Sequence, residues 1–171
     1  MTMRKILAVL TAAAALVAGL FLTGNAASAT SPQPAFAAQA RDAGLNSSEA
    51  AQLQRKVDAA LAANPGARQE SANKLSIPGG TLTISGPGAF NALLACSAGH
   101  LCITDGSGNN FDYYTCGSYP FSGTGDGTFN NNQTTGTKAR FYNFDGNERW
   151  SNVAKATGTA SWTPVYTISP C

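Results

Sequence analysis

Acid–base chemistry in this chain would start at His100, its only histidine. An imidazole acts as the general base of a hydrolase when the fold brings it to a Ser or Thr nucleophile and to an acid that orients it. The sequence contains no nucleophile-elbow pattern of the Gly-x-Ser-x-Gly type. We therefore predict that His100 lies at the end of a strand and has no catalytic role.

A pair of carboxylates is the second arrangement that supports hydrolysis. The aspartates available for such a pair are Asp105, Asp112, Asp126 and Asp145. The region that carries them is poor in Leu and Ile and rich in Gly, Asn, Thr and Ser, which predicts a small core with little room for a cleft. A hydrolase is therefore ranked third among the functions that we consider for this chain.

Metal binding is also weakly supported. Residues 105–110 begin like a calcium loop, with oxygen-bearing side chains at positions one, three and five, but Cys116 stands where the bidentate Glu should be. Asp105 and its neighbours are better explained as turn formers. Cys96 and Cys102 do not have zinc-finger spacing, and one histidine is too few for such a site. We predict no cofactor.

The four cysteines suit a disulfide framework, because their number is even and residues 1–29 have the pattern of an export signal. They are Cys96, Cys102, Cys116 and Cys171. Four cysteines allow three pairings, and the residues alone do not choose among them.

Several motifs in this region resemble one family. They are CSAGHLC at 96–102, FDYYTC at 111–116, FNNNQTTGTKARFY at 129–142 and WTPVYTISPC at 162–171. In order and spacing they are similar to small secreted actinobacterial proteins grouped with the streptomycete metalloproteinase inhibitors. The resemblance implies a βγ-crystallin-like Greek-key fold and a peptidase inhibitor that needs no catalytic residues.

The resemblance also bears on the disulfides and on calcium. It favours pairing Cys96 with Cys102, which bracket a Gly-containing turn, and hence Cys116 with Cys171; the rival joins Cys102 to Cys116. Residues 131–136 are similar to the short calcium motif of βγ-crystallin-like domains. Because Gly136 replaces its final hydroxyl residue and no carboxylate is present, weak or absent calcium binding is expected.

An inhibitor presents a preorganised loop. The candidate protease-contact residues lie in two polar, Gly-rich turns that strands should hold at their bases. They are Asp105, Gly106, Ser107, Gly108, Asn109 and Asn110 in the first turn, and Gly123, Thr124, Gly125 and Asp126 in the second. The alternative function is a cell-surface or carbohydrate-binding module, since the region is dense in aromatic residues.

Hydrophobic spacing and turn signals predict the elements that hold these turns. Asn46 and Glu49 form a capping box, and the helix behind them has one apolar face, made of Ala50, Leu53, Val57, Ala60 and Leu61. Residues 75–77 and 81–85 are expected to form a hairpin. From Cys96 on, alternation and turns predict antiparallel strands at 100–104, 111–116, 129, 137–142, 148–150 and 162–168. On 137–142, Ala139 and Phe141 should share one face, with Arg140 and Tyr142 on the other. The sequence Asp145-Gly146-Asn147 predicts a turn before 148–150. Residues 155–161 are expected to form a loop, and 30–44 a mobile lead-in.

The chain is therefore predicted to be all-β with a short α+β leader. Residues 1–29 have the basic, apolar and small-residue order of a signal peptide, 30–90 form the leader and 91–171 form the disulfide-stabilised module. Without the signal, nine basic residues face nine acidic ones, so a nucleic-acid partner and stable membrane association are not expected. The expected location is extracellular, and the expected partner is a protease or a cell-wall glycan.

Overall fold

The structure is a computed structural model, and it describes residues 33–88 and 95–171. The predicted signal peptide lies outside the described residues. In the described part the chain forms two helices and eleven strands. They are α1 Gln33–Asp42, α2 Ser47–Ala63, β1 Arg68–Gln69, β2 Lys74–Ile77, β3 Gly80–Thr83, β4 Leu101–Thr104, β5 Asn110–Tyr113, β6 Tyr119–Pro120, β7 Asp126–Asn131, β8 Lys138–Tyr142, β9 Glu148–Val153, β10 Ala156–Ser161 and β11 Thr167–Ser169.

Helix α2 begins with the predicted capping box. The side chain of Asn46 accepts the backbone N–H groups of Ser48 and Glu49 at 2.9 and 3.0 Å, and the Glu49 carboxylate accepts the N–H of Asn46 at 2.9 Å. These bonds satisfy N–H groups that the helix itself leaves without partners. The buried face of the helix contains Ala50, Leu53 and Val57, as the spacing predicts.

Residues 30–44 were predicted to be a mobile lead-in, and this prediction is wrong for the part described. Residues Gln33–Asp42 form helix α1. Alanine has the highest helix propensity, and α1 contains four Ala in ten residues of sequence QPAFAAQARD. Ala40 and the following Leu45 are buried in the core, so tertiary packing stabilises a short helix that lacks a strong amphipathic pattern.

The strands form two antiparallel sheets. In the described residues the larger sheet has the order β1-β2-β3-β5-β4-β7-β10, and the smaller has the order β6-β11-β8-β9. From β6 to β11 the chain passes repeatedly between the sheets. The predicted alternation on β8 is confirmed, because Ala139 and Phe141 are buried while Arg140 and Tyr142 are partly exposed.

Two predictions about the last strands are wrong. Residues 155–161 were expected to be a loop, but Ala156–Ser161 form β10, which pairs with β7 at all six positions. Polar residues are tolerated there because β10 is an edge strand. Residues 162–168 were expected to be one strand, but strand β11 begins only at Thr167. The N–H of Val165 donates to the carbonyl of Trp162, which makes a turn of this segment.

One core joins the two sheets and the helices. Its largest fully buried side chain is Trp162, whose ring lies 5.6 Å from Phe121, 5.7 Å from Phe141 and 6.0 Å from Trp150. The indole Nε1–H of Trp162 donates to the carbonyl of Thr104 at 3.2 Å. Its polar group is therefore satisfied at the centre of the core, as a buried Trp requires.

The boundary expected at residue 90 does not divide the described structure. Strand β3 pairs with β5 along its whole length, from Gly80–Tyr113 to Thr83–Asn110. A Cβ on Gly80 would lie 2.0 Å from the carbonyl oxygen of Asp112, so only glycine allows this pairing. The hairpin β2–β3 and helix α2 share their core with the later strands. The predicted separable leader is therefore part of the fold.

All four cysteines are bonded, as Cys96–Cys102 and Cys116–Cys171. This is the pairing that the family resemblance favours, and the rival Cys102–Cys116 bond does not form. Two disulfides are typical of proteins that mature in an oxidising environment. In residues 33–88 and 95–171, no helix has the length and apolar character needed to cross a membrane.

Candidate functional site: the four-loop end

Four loops lie at one end of the two sheets. They connect β4 to β5, β6 to β7, β8 to β9 and β10 to β11, at residues 105–109, 121–125, 143–147 and 162–166. Neighbouring strands are antiparallel in both sheets: β5-β4-β7-β10 in the larger and β11-β8-β9 in the smaller. The strand ends that the four loops join therefore lie at the same end of the sheets. We call this surface the four-loop end. It contains both turns that the sequence predicted as contact loops.

The first two loops are joined by their backbones. The N–H of Gly106 donates to the carbonyl of Thr124 at 2.7 Å. A Cβ on Gly106 would lie 2.9 Å from Gly125 Cα, and Gly125 has a φ of +70°. A side chain at either position would force the loops apart. These glycines therefore allow close packing between the loops, which counters the flexibility that glycine otherwise brings.

The fourth loop, 162–166, continues the network. Residues Trp162 and Thr163 bind Gly125, through a 2.8 Å bond from Trp162 N–H to the Gly125 carbonyl and a 2.9 Å bond from Gly125 N–H to Thr163 Oγ1. Tyr166 then accepts the N–H of Phe121 and donates to the carbonyl of Tyr142, both at 2.9 Å. The loops 105–109, 121–125 and 162–166 are thus one hydrogen-bonded layer, and the loop 143–147 adjoins it where Tyr166 bonds to Tyr142, the last residue of β8.

Asp105 organises the first loop and does not offer its side chain to a partner. Its side chain is buried, with the residue 5% exposed. Oxygen Oδ1 accepts the N–H groups of Ser107 and Asn109 at 2.9 Å, and Oδ2 accepts the Asn109 amide at 3.2 Å. The prediction that Asp105 forms a turn is confirmed. Both side-chain oxygens are bonded within the loop, so any contact that Asp105 makes with a partner would be through its backbone.

Segments from the predicted leader support the same end. The buried Asn64, which caps α2, donates from its side-chain amide to Ser122 Oγ at 2.9 Å. The N–H of Ser85 donates to Asn109 Oδ1 at 3.0 Å. These bonds attach α2 and the residues after β3 to the two predicted contact loops.

The loop 143–147 contains a second Asp turn, in which Asp145 is exposed. Asp145 accepts the N–H of Asn147 with Oδ1 at 3.1 Å and the Asn147 amide with Oδ2 at 2.9 Å. The N–H of Asn143 also donates to the Asn147 carbonyl at 3.0 Å. The hydrogen bonds from Asn147 lower the pKa of the Asp145 carboxyl. The turn predicted from Asp145-Gly146-Asn147 is therefore present, and its ends are tied together.

Phe144 projects from this turn into solvent. It is 80% exposed, and its ring contacts that of Tyr166, which is 53% exposed, at a centroid distance of 6.0 Å. The other large apolar residues of the loops, Phe121, Trp162 and Val165, are buried. The sequence analysis did not select Phe144. The available signal was an aromatic residue directly before Asp-Gly, at a position where turn residues are usually polar.

His100 and Asp112 form a separate pair away from the four-loop end. His100 Nδ1 lies 2.6 Å from Asp112 Oδ1, and the His100 ring lies 5.3 Å from that of Tyr114. Asp112 Oδ1 is also 3.6 Å from Cys102 Sγ. In the described part of the chain, no Ser or Thr hydroxyl is hydrogen-bonded to the His100 ring. The pair thus has a base and an orienting acid but no neighbouring nucleophile there.

The four aspartates considered for hydrolysis do not assemble into one site. Asp105 is buried in its loop, Asp112 pairs with His100, and Asp145 is bonded to Asn147. Asp126 is exposed at the first position of β7.

The segment with the calcium-like motif uses its amides within the protein. The Asn131 amide donates to Asn152 Oδ1 at 2.7 Å, while the buried Gln133 donates to Asn131 Oδ1 at 3.0 Å and to the carbonyl of Pro170. These bonds hold the chain just before Cys171. Among residues 33–88 and 95–171, no group of three or more His, Cys, Asp or Glu side chains could hold a metal ion.

No protein-family model, curated protein or solved structure matches this chain. The four-loop end therefore has to be interpreted from its own geometry. It is a surface of polar backbone fixed by hydrogen bonds, and it carries one exposed aromatic pair, Phe144 and Tyr166. Such a surface can dock on a partner protein.

Proposed function

We propose that this chain is a secreted proteinase inhibitor that presents the four-loop end from a rigid β scaffold. The observation that carries the proposal is the hydrogen-bonded layer formed by the loops 105–109, 121–125 and 162–166, which the Phe144–Tyr166 ring contact joins to the loop 143–147. A loop fixed before binding loses little conformational entropy when it binds, which favours tight inhibition. The proposal includes the absence of catalytic activity.

Sequence features add to the proposal. The stretches 96–102, 111–116, 129–142 and 162–171 resemble the streptomycete metalloproteinase inhibitor group, and residues 1–29 have the pattern of a signal peptide. A βγ-crystallin-like Greek key is the fold that we propose within the all-β architecture. The passage of the chain between two antiparallel sheets from β6 to β11 supports it.

Titration against proteases tests this function. The protein purified from the culture medium is incubated with metallo-, serine and cysteine proteases, and residual protease activity is measured against the amount of protein added. A linear decrease to an end point near one inhibitor per enzyme is expected for at least one protease, with the added protein remaining intact. The proposal fails if every protease keeps its activity or if the protein is simply degraded.

Glycan binding is the second candidate. One observation favours it: polar side chains line a cleft on the larger sheet beside the Cys96–Cys102 disulfide. They are Thr104, Asn110, Asp112, Thr128 and Asn130. A pull-down on insoluble cell-wall glycans tests this reading. Retention on the glycan together with no inhibition of any protease would replace the inhibitor proposal with a binding module.

A further inference from the structure

The four-loop end offers few side chains that could fill a pocket on a partner. The loop sequences are DGSGN, FSGTG, NFDGN and WTPVY. Within the described residues, only Phe144 and Tyr166 among the large apolar side chains of these loops are exposed. Tight interfaces depend on a few large anchors, and the residues around them contribute mainly by excluding water. Glycine-rich loops alone do not supply such an anchor.

Phe144 has the features of an anchor. It is more exposed than Tyr166, and the turn below it is fixed by the bonds between Asp145 and Asn147. Its ring meets Tyr166 in an edge-to-face arrangement of 66°, which holds the side chain from one flank. The ring is therefore displayed on a supported turn, and burying it in a partner's pocket would remove most of its area from water.

The chemistry of the loops also restricts the partner. None of the four loop sequences contains Lys or Arg, whereas Asp145 is next to Phe144. A protease with an acidic primary pocket, which selects a basic side chain, would find no suitable side chain here. An apolar pocket wide enough for a benzyl group matches Phe144 in size and polarity.

We infer that Phe144 is the anchor of this inhibitor and that its target is a protease with an apolar primary pocket that accepts aromatic side chains. The inference rests on the proposed function and names the residue and the target class for it. The predicted contact turns 105–110 and 123–126 then form the polar rim around the anchor.

Inhibition constants of four full-length proteins test the inference: wild type, Phe144→Ala, Phe144→Arg and Tyr114→Ala. Each is measured with one serine protease that prefers aromatic residues and one that prefers Arg. Tyr114 is the matched control, because it is 53% exposed and follows β5 at the other end of the sheet. Circular dichroism and thermal unfolding confirm that each variant is folded.

Wild type and Tyr114→Ala should inhibit the aromatic-preferring protease with equal constants, and Phe144→Ala should weaken inhibition by about 30-fold or more. Phe144→Arg should lose inhibition of the first protease and gain inhibition of the Arg-preferring one, a change that a purely structural role would not cause. If the wild type inhibits and folded Phe144→Ala is equally potent, the anchor is wrong while the inhibitor proposal stands. If the wild type inhibits no protease of the wider panel, the proposed function itself fails.

Discussion

The ring of Phe144 contacts the ring of Tyr166 at a centroid distance of 6.0 Å and an angle of 66°. The two residues come from different loops, 143–147 and 162–166. The contact therefore depends on the packing of β8 beside β11, in which Tyr142 pairs with Thr167. Neither loop alone would create this exposed aromatic pair.

Replacing Tyr166 by Ala should weaken inhibition and leave the fold intact. An edge-to-face aromatic pair contributes about 0.5–1.5 kcal/mol beyond its area, so loss of this support should raise the inhibition constant by up to about 10-fold. The measurement is a titration of the target protease, with the unfolding temperature as a check on folding. An unchanged inhibition constant would mean that Phe144 does not need this neighbour.

Tyr113 provides a test of the core. The structure describes no hydrogen-bond partner for its buried hydroxyl within residues 33–88 and 95–171. An unpaired buried hydroxyl costs about 1–3 kcal/mol. Tyr113→Phe should therefore raise the free energy of unfolding by about 1 kcal/mol, as measured by urea denaturation. A decrease of similar size would show that the hydroxyl has a partner.

The same residue gives a pH dependence. Burial, and to a smaller degree Tyr119, raises the pKa of the Tyr113 phenol above its ordinary value of 10.0. Below pH 10.0 the phenol keeps its proton in both the folded and the unfolded chain. Above it the unfolded chain releases the proton and the folded chain retains it, so the stability of the wild type should fall. Above pH 10.0, the free energy of unfolding should fall less steeply with pH in Tyr113→Phe than in the wild type. Equal slopes in the two proteins would contradict the raised pKa of Tyr113.

The two disulfides should differ in their contribution to stability. They join residues 55 apart for Cys116–Cys171 and 6 apart for Cys96–Cys102. The chain-entropy relation gives upper figures of about 4 and about 2 kcal/mol for loops of these lengths. The paired Cys→Ser variants should follow this order in urea denaturation. A larger loss from the short bridge would indicate that native contacts near Cys96 outweigh loop entropy.

Features that depend on residues close in sequence were predictable, and features that depend on distant segments were not. The capping box at Asn46 and the turn at Asp145 depend on neighbours within three residues, and both were predicted. Strand β10 was missed because ATGTAS has no apolar alternation and its strand form depends on pairing with β7. The exposed position of Phe144 was missed for a similar reason, since burial depends on packing between distant segments.

Residues 30–90 were expected to be separable because their helix should bury little apolar area. However, the sequence does not reveal that β3 continues the sheet beside β5. Leu75 and Leu82 thereby enter the shared core. Pairing of this kind joins residues about thirty positions apart, beyond the range of local patterns.

Because β3 and helix α2 belong to the shared core, we expect that residues 91–171 do not fold without residues 30–90. Circular dichroism and amide proton dispersion of the truncated protein should indicate an unfolded chain. In the full-length protein, Leu82→Ala should lower the free energy of unfolding by about 2–5 kcal/mol, because Leu82 is fully buried. A stable, dispersed spectrum from 91–171 alone would restore the separable leader.

Hydrogen–deuterium exchange of the inhibitor, free and bound to its target protease, tests the central claim most directly. The account predicts that binding slows amide exchange at 105–109, 121–125, 143–147 and 162–166, with the largest change around Phe144, and leaves the segment 132–137 at the other end unchanged. Protection confined to 132–137 or to the cleft beside Cys96–Cys102, with the four loops unaffected, would contradict it.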